Sequence, residues 1–122
     1  MIRLTTKQRG QLEAWSRAEY PREACGVLVG TREGELVRVC QVIRGRNLEE
    51  LRPGERFELD PASIVRADRD ARARGREVVG IWHSHPDRPA VPSAEDRSGV
   101  WAGWSQVIVG VNGDGATSVH PS

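Results

Sequence analysis

The 122-residue sequence predicts a single mixed α/β (α+β) domain, with a mixed, largely antiparallel sheet flanked by helices. Three observations carry that expectation. Two segments, "TTKQRGQLEAWSRAEYP" and "DPASIVRADRDARARG", place apolar residues at helical spacing between a capping residue and a Pro or Gly. Four short runs, "ACGVLVG", "ELVRVCQVIRG", "EVVGIWHS" and "SQVIVGV", are apolar or alternating and rich in Val and Ile. Their interleaving with the helices fits helices packed on a sheet, and the length fits one core.

In chain order, Thr5 or Thr6 caps the first helix, Leu12, Trp15 and Ala18 form its apolar stripe, and Pro21 stops it. "ACGVLVG" is a strand, Gly34 marks a turn, and "ELVRVCQVIRG" returns as its antiparallel partner. "RNLEELRPGER" is a loop broken by Pro53 and Gly54, and "RFEL" reads as a short strand. Asp60 with Pro61 opens the second helix, which carries Ile64, Ala67 and Ala71 on one side and ends at Gly75. "EVVGIWHS" is the central strand, Ser93 opens a helix carrying Trp101 and Trp104, and "SQVIVGV" is the last strong strand. From about residue 112 the tail "NGDGATSVHPS" is polar, turn-rich and expected to fray, with His120 exposed in it. The whole of 1–122 is expected to be one domain with that tail.

Composition excludes some roles. A formal charge of +1 gives no general attraction to nucleic acid or anionic membranes. No run approaches the roughly 20 apolar residues of a membrane span, and "MIRLTTKQRG" lacks the apolar core of a signal peptide. A cytoplasmic protein is expected. Two cysteines, Cys25 and Cys40, make no disulfide framework.

The stretch "GIWHSHPDRPAVPSAEDRSGVW" carries the chemistry. Alternation along a strand puts His83 and His85 on one side and Ser84 on the other. Pro86, Pro89 and Pro92 stiffen the loop that follows, and Asp96 comes next on the first turn of a helix. Two imidazoles and one carboxylate leave a fourth tetrahedral position for water, the pattern of catalytic zinc. Taken singly, each residue has a plainer reading. Ser93-x-x-Asp96 also fits a capping box, and a histidine pair at a strand end is often polar surface. The conjunction favours the metal site, because two of only three histidines stand one residue apart with a carboxylate at loop distance. Such a site also needs a base. Glu13, Glu19, Glu23, Glu33 and Glu35 are candidates, and spacing does not choose among them. Glu23 differs in standing at the mouth of an apolar strand.

"HSHPDRPAVPSAED" resembles the metal motif of the JAMM (MPN+) metalloprotease family, and "YPREACGVLVG" is similar to that family's upstream block. "RGRN", "FELDP" and "VVGIWHSHP" are similar to its small bacterial members, which resemble peptidases of sulfur-carrier proteins. The resemblance implies a JAB/MPN-like, cytidine-deaminase-like fold and one Zn2+ per chain held by His83, His85 and Asp96. It implies Glu23 as general acid/base and Ser93 as the hydroxyl supporting the tetrahedral intermediate. Asn47 aligns with a recurrent asparagine that either orients substrate or shapes its loop. The implied activity is hydrolysis of the peptide or isopeptide bond after the C-terminal Gly-Gly of a ubiquitin-like or sulfur-carrier protein. A homodimer is a candidate assembly, and neither nucleic acid nor membrane is an expected partner. The competing reading is a non-catalytic MPN-type module that binds such a carrier without cutting it. A zinc deaminase would need His-x-Glu and Cys-x-x-Cys, and the sequence has neither.

Overall fold

The computed structural model describes residues 1–93 and 103–121. Its elements are β1 (Ile2–Arg3), α1 (Thr6–Glu19), β2 (Cys25–Glu33), β3 (Leu36–Arg44), α2 (Pro61–Arg72), β4 (Glu77–Pro86), β5 (Ser105–Val111) and β6 (Thr117–His120). The strands form one six-stranded mixed sheet in the order β1-β3-β2-β4-β5-β6. β2 pairs antiparallel with β3 and β4, and β6 with β5, while the β1–β3 and β4–β5 pairs are parallel.

α1 begins where the sequence supplies a cap. Thr5 Oγ1 accepts from Gln8 N at 3.0 Å, and Gln8 Oε1 accepts from Thr5 N at 2.9 Å, a reciprocal capping box. The same Gln8 side chain donates to Val39 O at 3.0 Å, so the cap also docks the helix on β3. α2 begins at Asp60, whose side chain accepts from Ala62 N, with Pro61 in the first turn where a missing N–H costs nothing.

The two helices cover opposite faces of the sheet. Leu12 of α1 packs with Leu28, Val39, Val79, Trp82, Val107 and Val109, while Ala67 and Ala71 of α2 pack with Val27, Val29, Val78 and Ile81. Trp15 stacks on the fully buried Trp82 with centroids 5.8 Å apart, worth about 0.5–1.5 kcal/mol beyond the area buried. The Trp82 indole N–H donates to Ile43 O at 2.9 Å by crossing Gly26. A Cβ on Gly26 would lie 1.9 Å from that carbonyl and 2.3 Å from the indole nitrogen, so only glycine allows this approach.

A bulge decides which side the histidines take. Leu28 pairs with Gly80 and Val29 with Val78, leaving Val79 as an extra residue in β4. Val78 and Ile81 therefore share the α2 face although three positions separate them. From Ile81 onward normal alternation carries His83 and His85 to that face, and Ser84 to the other.

One element went unannounced, and three expectations need correction. Ile2–Arg3 forms a strand that the sequence did not announce, because two residues carry no periodicity. "RFEL" contributes only an isolated bridge between Asn47 and Leu59, since Asp60 starts the next helix at once. Trp104 is not on a helix. Gly103 turns the chain at φ 83°, and Trp104 leads directly into β5. The tail does not fray as a whole. Val111 pairs with Thr117 and Ile108 with His120, the five residues between the strands supply the turn, and Val119 packs on the core. His120 is exposed, as expected. The helix expected after Ser93, with Asp96 and Trp101, lies outside the described residues. Among the described residues, no helix is long and apolar enough to cross a membrane.

Candidate active site

His83 and His85 are 0% and 2% exposed, and Glu23, just before β2, is 2% exposed. The register pairs Cys25 with His83, which brings the residue two positions before Cys25 up against the imidazoles. Candidate ligand atoms of Glu23, His83 and His85 all lie within 4.8 Å of one another. Sequence spacing of 60 residues between Glu23 and His83 thus closes into one buried group.

Hydrogen bonds set the tautomers. Pro89 O, which can only accept, lies 2.9 Å from His85 Nδ1, so Nδ1 carries a hydrogen, and in the neutral ring the lone pair sits on Nε2. Glu23 Oε1 lies 3.2 Å from His83 Nδ1, and the amide Nε2 of Gln106 lies 2.9 Å from His83 Nε2. In the neutral ring the amide donates and the carboxylate accepts, which gives His83 the same tautomer, and an ion bound at His83 Nε2 would take the place of the Gln106 amide there. An imidazole whose Nδ1–H is held by a carbonyl or carboxylate is oriented for metal ligation through Nε2. Phe57 stacks on His83 with centroids 4.5 Å apart and planes at 22°, fixing the ring further.

The donor set fits zinc. Imidazole nitrogens and carboxylate oxygens bind it at about 2.0–2.2 Å, so ligand atoms sharing one ion lie about 3–4 Å apart. Two buried imidazoles with a carboxylate in one group, their candidate atoms within 4.8 Å, supply donors of that chemistry. Cys25, although it shares the neighbourhood, is a packing residue. It is 1% exposed among core residues, and burial pushes its thiol up to about 12, so it is neutral near pH 7.

Asn47 resolves in favour of shaping its loop. It is 5% exposed, and its amide nitrogen donates to Glu23 O, Pro53 O and Arg56 O at 3.1, 3.3 and 3.0 Å. Its Oδ1 accepts from Glu49 N and Glu58 N, both at 3.0 Å. Glu23 N donates to Pro53 O as well, so both backbone polar groups of Glu23 are tied to this loop. On the other side, Ser84 Oγ accepts from Ala24 N at 2.7 Å, and Ser84 N donates to Ala24 O at 2.9 Å. Glu23 is therefore held from β4 and from the loop together. Ser93 is partly buried at the end of the proline-bearing loop, and Asp96 lies outside the described residues.

Residues 5–120 match the Prok-JAB family, prokaryotic homologs of the JAB domain. The chain belongs to this family. It is 34% identical over 101 residues to the Desampylase of Haloferax volcanii, spanning 82% of this chain and 69% of that protein. It is 34% identical over 91 residues to the "Probable TtuB-protein conjugate cleaving protease" of Thermus thermophilus, spanning 72% of this chain and 57% of that one. The chain thus covers little more than half to two thirds of these relatives' lengths. A solution structure of a protein from Desulfitobacterium hafniense superposes with a TM-score of 0.80 at 34% identity, covering 98% of this chain and 90% of that one.

Three residues of this Prok-JAB site escaped the sequence reading. Phe57 and Gln106 reach His83 from a loop and from β5, and Arg88 Nη2 donates to Glu23 Oε2 at 2.8 Å. Arg88 stands inside the quoted motif, three residues after His85, and its charge next to a metal motif was the available signal. For Gln106 no local signal exists, because its position follows from the parallel register that sets Ile81 opposite it.

Proposed function

We propose that this Prok-JAB chain is a zinc-dependent metallopeptidase that cuts the peptide or isopeptide bond after the C-terminal Gly-Gly of a ubiquitin-like or sulfur-carrier protein. The observation that carries the reading is the buried Glu23, His83 and His85 group. The names of relatives support it, since a desampylase and a conjugate-cleaving protease both remove protein conjugates.

His83, His85 and Asp96 would hold the ion. Zinc, when bound, polarises the scissile carbonyl and makes water nucleophilic near neutral pH. Glu23 takes the proton of the attacking water on its carboxylate and hands it to the leaving amine. Ser93 offers a hydroxyl donor toward the oxygen on which charge develops. Phe57 keeps His83 in plane and excludes water from its face. An extended carrier tail would approach by pairing along a strand edge, with its glycines fitting a narrow channel.

Metal content is the first test. The purified chain is expected to hold about one zinc, and His85→Ala and Asp96→Ala to lose most of it, as measured by elemental analysis. A folded parent that takes up no zinc even when reconstituted sinks the hydrolase reading and leaves a carrier-binding module.

A further inference from the structure

We propose that Arg88 reads a free α-carboxylate on the leaving side of the scissile bond, so that the site favours a C-terminal amino acid linked through its α-amine over a lysine side chain. The proposal rests on the peptidase reading above.

The loop around Arg88 is fixed on both sides. Asp87 adopts φ 55°, its N donates to Val111 O at 2.8 Å, and its carboxylate accepts from Gly113 N at 3.0 Å and from the Tyr20 hydroxyl. The bond to Asp87 pushes the Tyr20 phenol up, as expected when a phenol donates to a carboxylate. Pro89 O is held by His85. Between these anchors the Arg88 side chain reaches Glu23 Oε2.

That contact uses one donor of a five-donor fork, and it is the only hydrogen bond of the Arg88 side chain among the described residues. The side chain is 35% exposed while its partner is 2% exposed, so the guanidinium sits between the buried base and the outside.

Glu23 must meet the leaving amine in order to protonate it. In an α-linked C-terminal residue, a carboxylate oxygen lies only about 3 Å from that amine nitrogen by covalent geometry. Such a group would approach the Glu23 carboxylate at a range where like charges repel strongly. A guanidinium already on Glu23 removes the repulsion, and its planar fork can pair with both carboxylates. A lysine ε-amine brings no acid group to that place, and gains nothing from Arg88.

The test uses the full chain and two peptides ending in Gly-Gly-Ala, one with a free C-terminal carboxylate and one amidated. Binding to metal-free protein, where no turnover intervenes, is followed by NMR titration. The acid is expected to bind about 10-fold more tightly than the amide. Arg88→Ala should bring that ratio close to one, and Arg88→Lys should restore part of it. Equal binding of the two peptides by the parent, no binding of either, or an unchanged ratio in Arg88→Ala overturns the proposal. Hydrolysis with zinc then separates the two readings. Cleavage of a Gly-Gly tail on a lysine ε-amine as fast as of the free-acid peptide keeps the peptidase and overturns the Arg88 role. Selective, Arg88-dependent binding of the acid without cleavage of any Gly-Gly-tailed substrate keeps the carboxylate site and overturns the peptidase.

Discussion

Glu23→Gln is expected to lower turnover of a Gly-Gly-tailed carrier by about 10²–10⁴-fold while zinc stays bound, the range for loss of a positioned general acid/base. Glutamine preserves the shape and one acceptor oxygen facing His83 Nδ1, but it does not accept a proton from water and deliver it to an amine. The substitution also separates two roles for this carboxylate. One of its oxygens lies in the same 4.8 Å group as the imidazole nitrogens, so Glu23 is placed to act as base or as ligand. Activity lost with zinc retained identifies a base. Activity and zinc lost together, in elemental analysis beside kinetics, identifies a ligand and overturns the mechanism above.

Asn47→Ala should destabilise the fold by about 3 kcal/mol, a fall in Tm of about 10 °C, and should disturb Glu23 more than the histidines. The truncation removes a donor from the carbonyls of Glu23, Arg56 and Pro53, the last of which keeps Glu23 N, and abandons the two amide hydrogens of Glu49 and Glu58. Asn47→Asp is the sharper variant. It retains an oxygen for Glu49 N and Glu58 N, but turns an oxygen toward the carbonyls of Glu23, Pro53 and Arg56. Thermal melts should show Asp no better than Ala at this position. A melt unchanged from the parent in both variants would remove Asn47 from the scaffold of the site.

Much of this architecture could be read locally. Thr5, Asp60 and Pro61 announce their helices because capping is a matter of a few adjacent residues. His83 and His85 announce themselves because strand alternation fixes their common side, and the structure keeps both buried on that side. Glu23 stood out among several glutamates through its place at the start of an apolar strand, and it is the one that joins the histidines. What escaped depends on distant chain. Thr117–His120 is polar and alternating, and it becomes a strand only because β5 offers an edge and a hairpin turn precedes it. Arg88 is an ordinary charge in sequence, and acquires its partner only when the Asp87 turn aims it across the site. The extra residue at Val79 is likewise invisible until β2 and β4 are paired.

The position of β4 has a consequence for how the site behaves in time. β4 lies inside the sheet with β2 on one side and β5 on the other, whereas Glu23 depends on the irregular stretch between β3 and α2 for half of its anchoring. Amides of an interior strand exchange with solvent mainly through global opening, and loop amides through small local fluctuations. The two histidines therefore belong to the slowest-opening unit of the molecule, and the carboxylate to the border of a faster one. Breathing of residues 45–59 would withdraw the proton carrier while leaving the imidazole pair assembled. Catalytic competence and metal retention would then be lost on different timescales in the same folded chain.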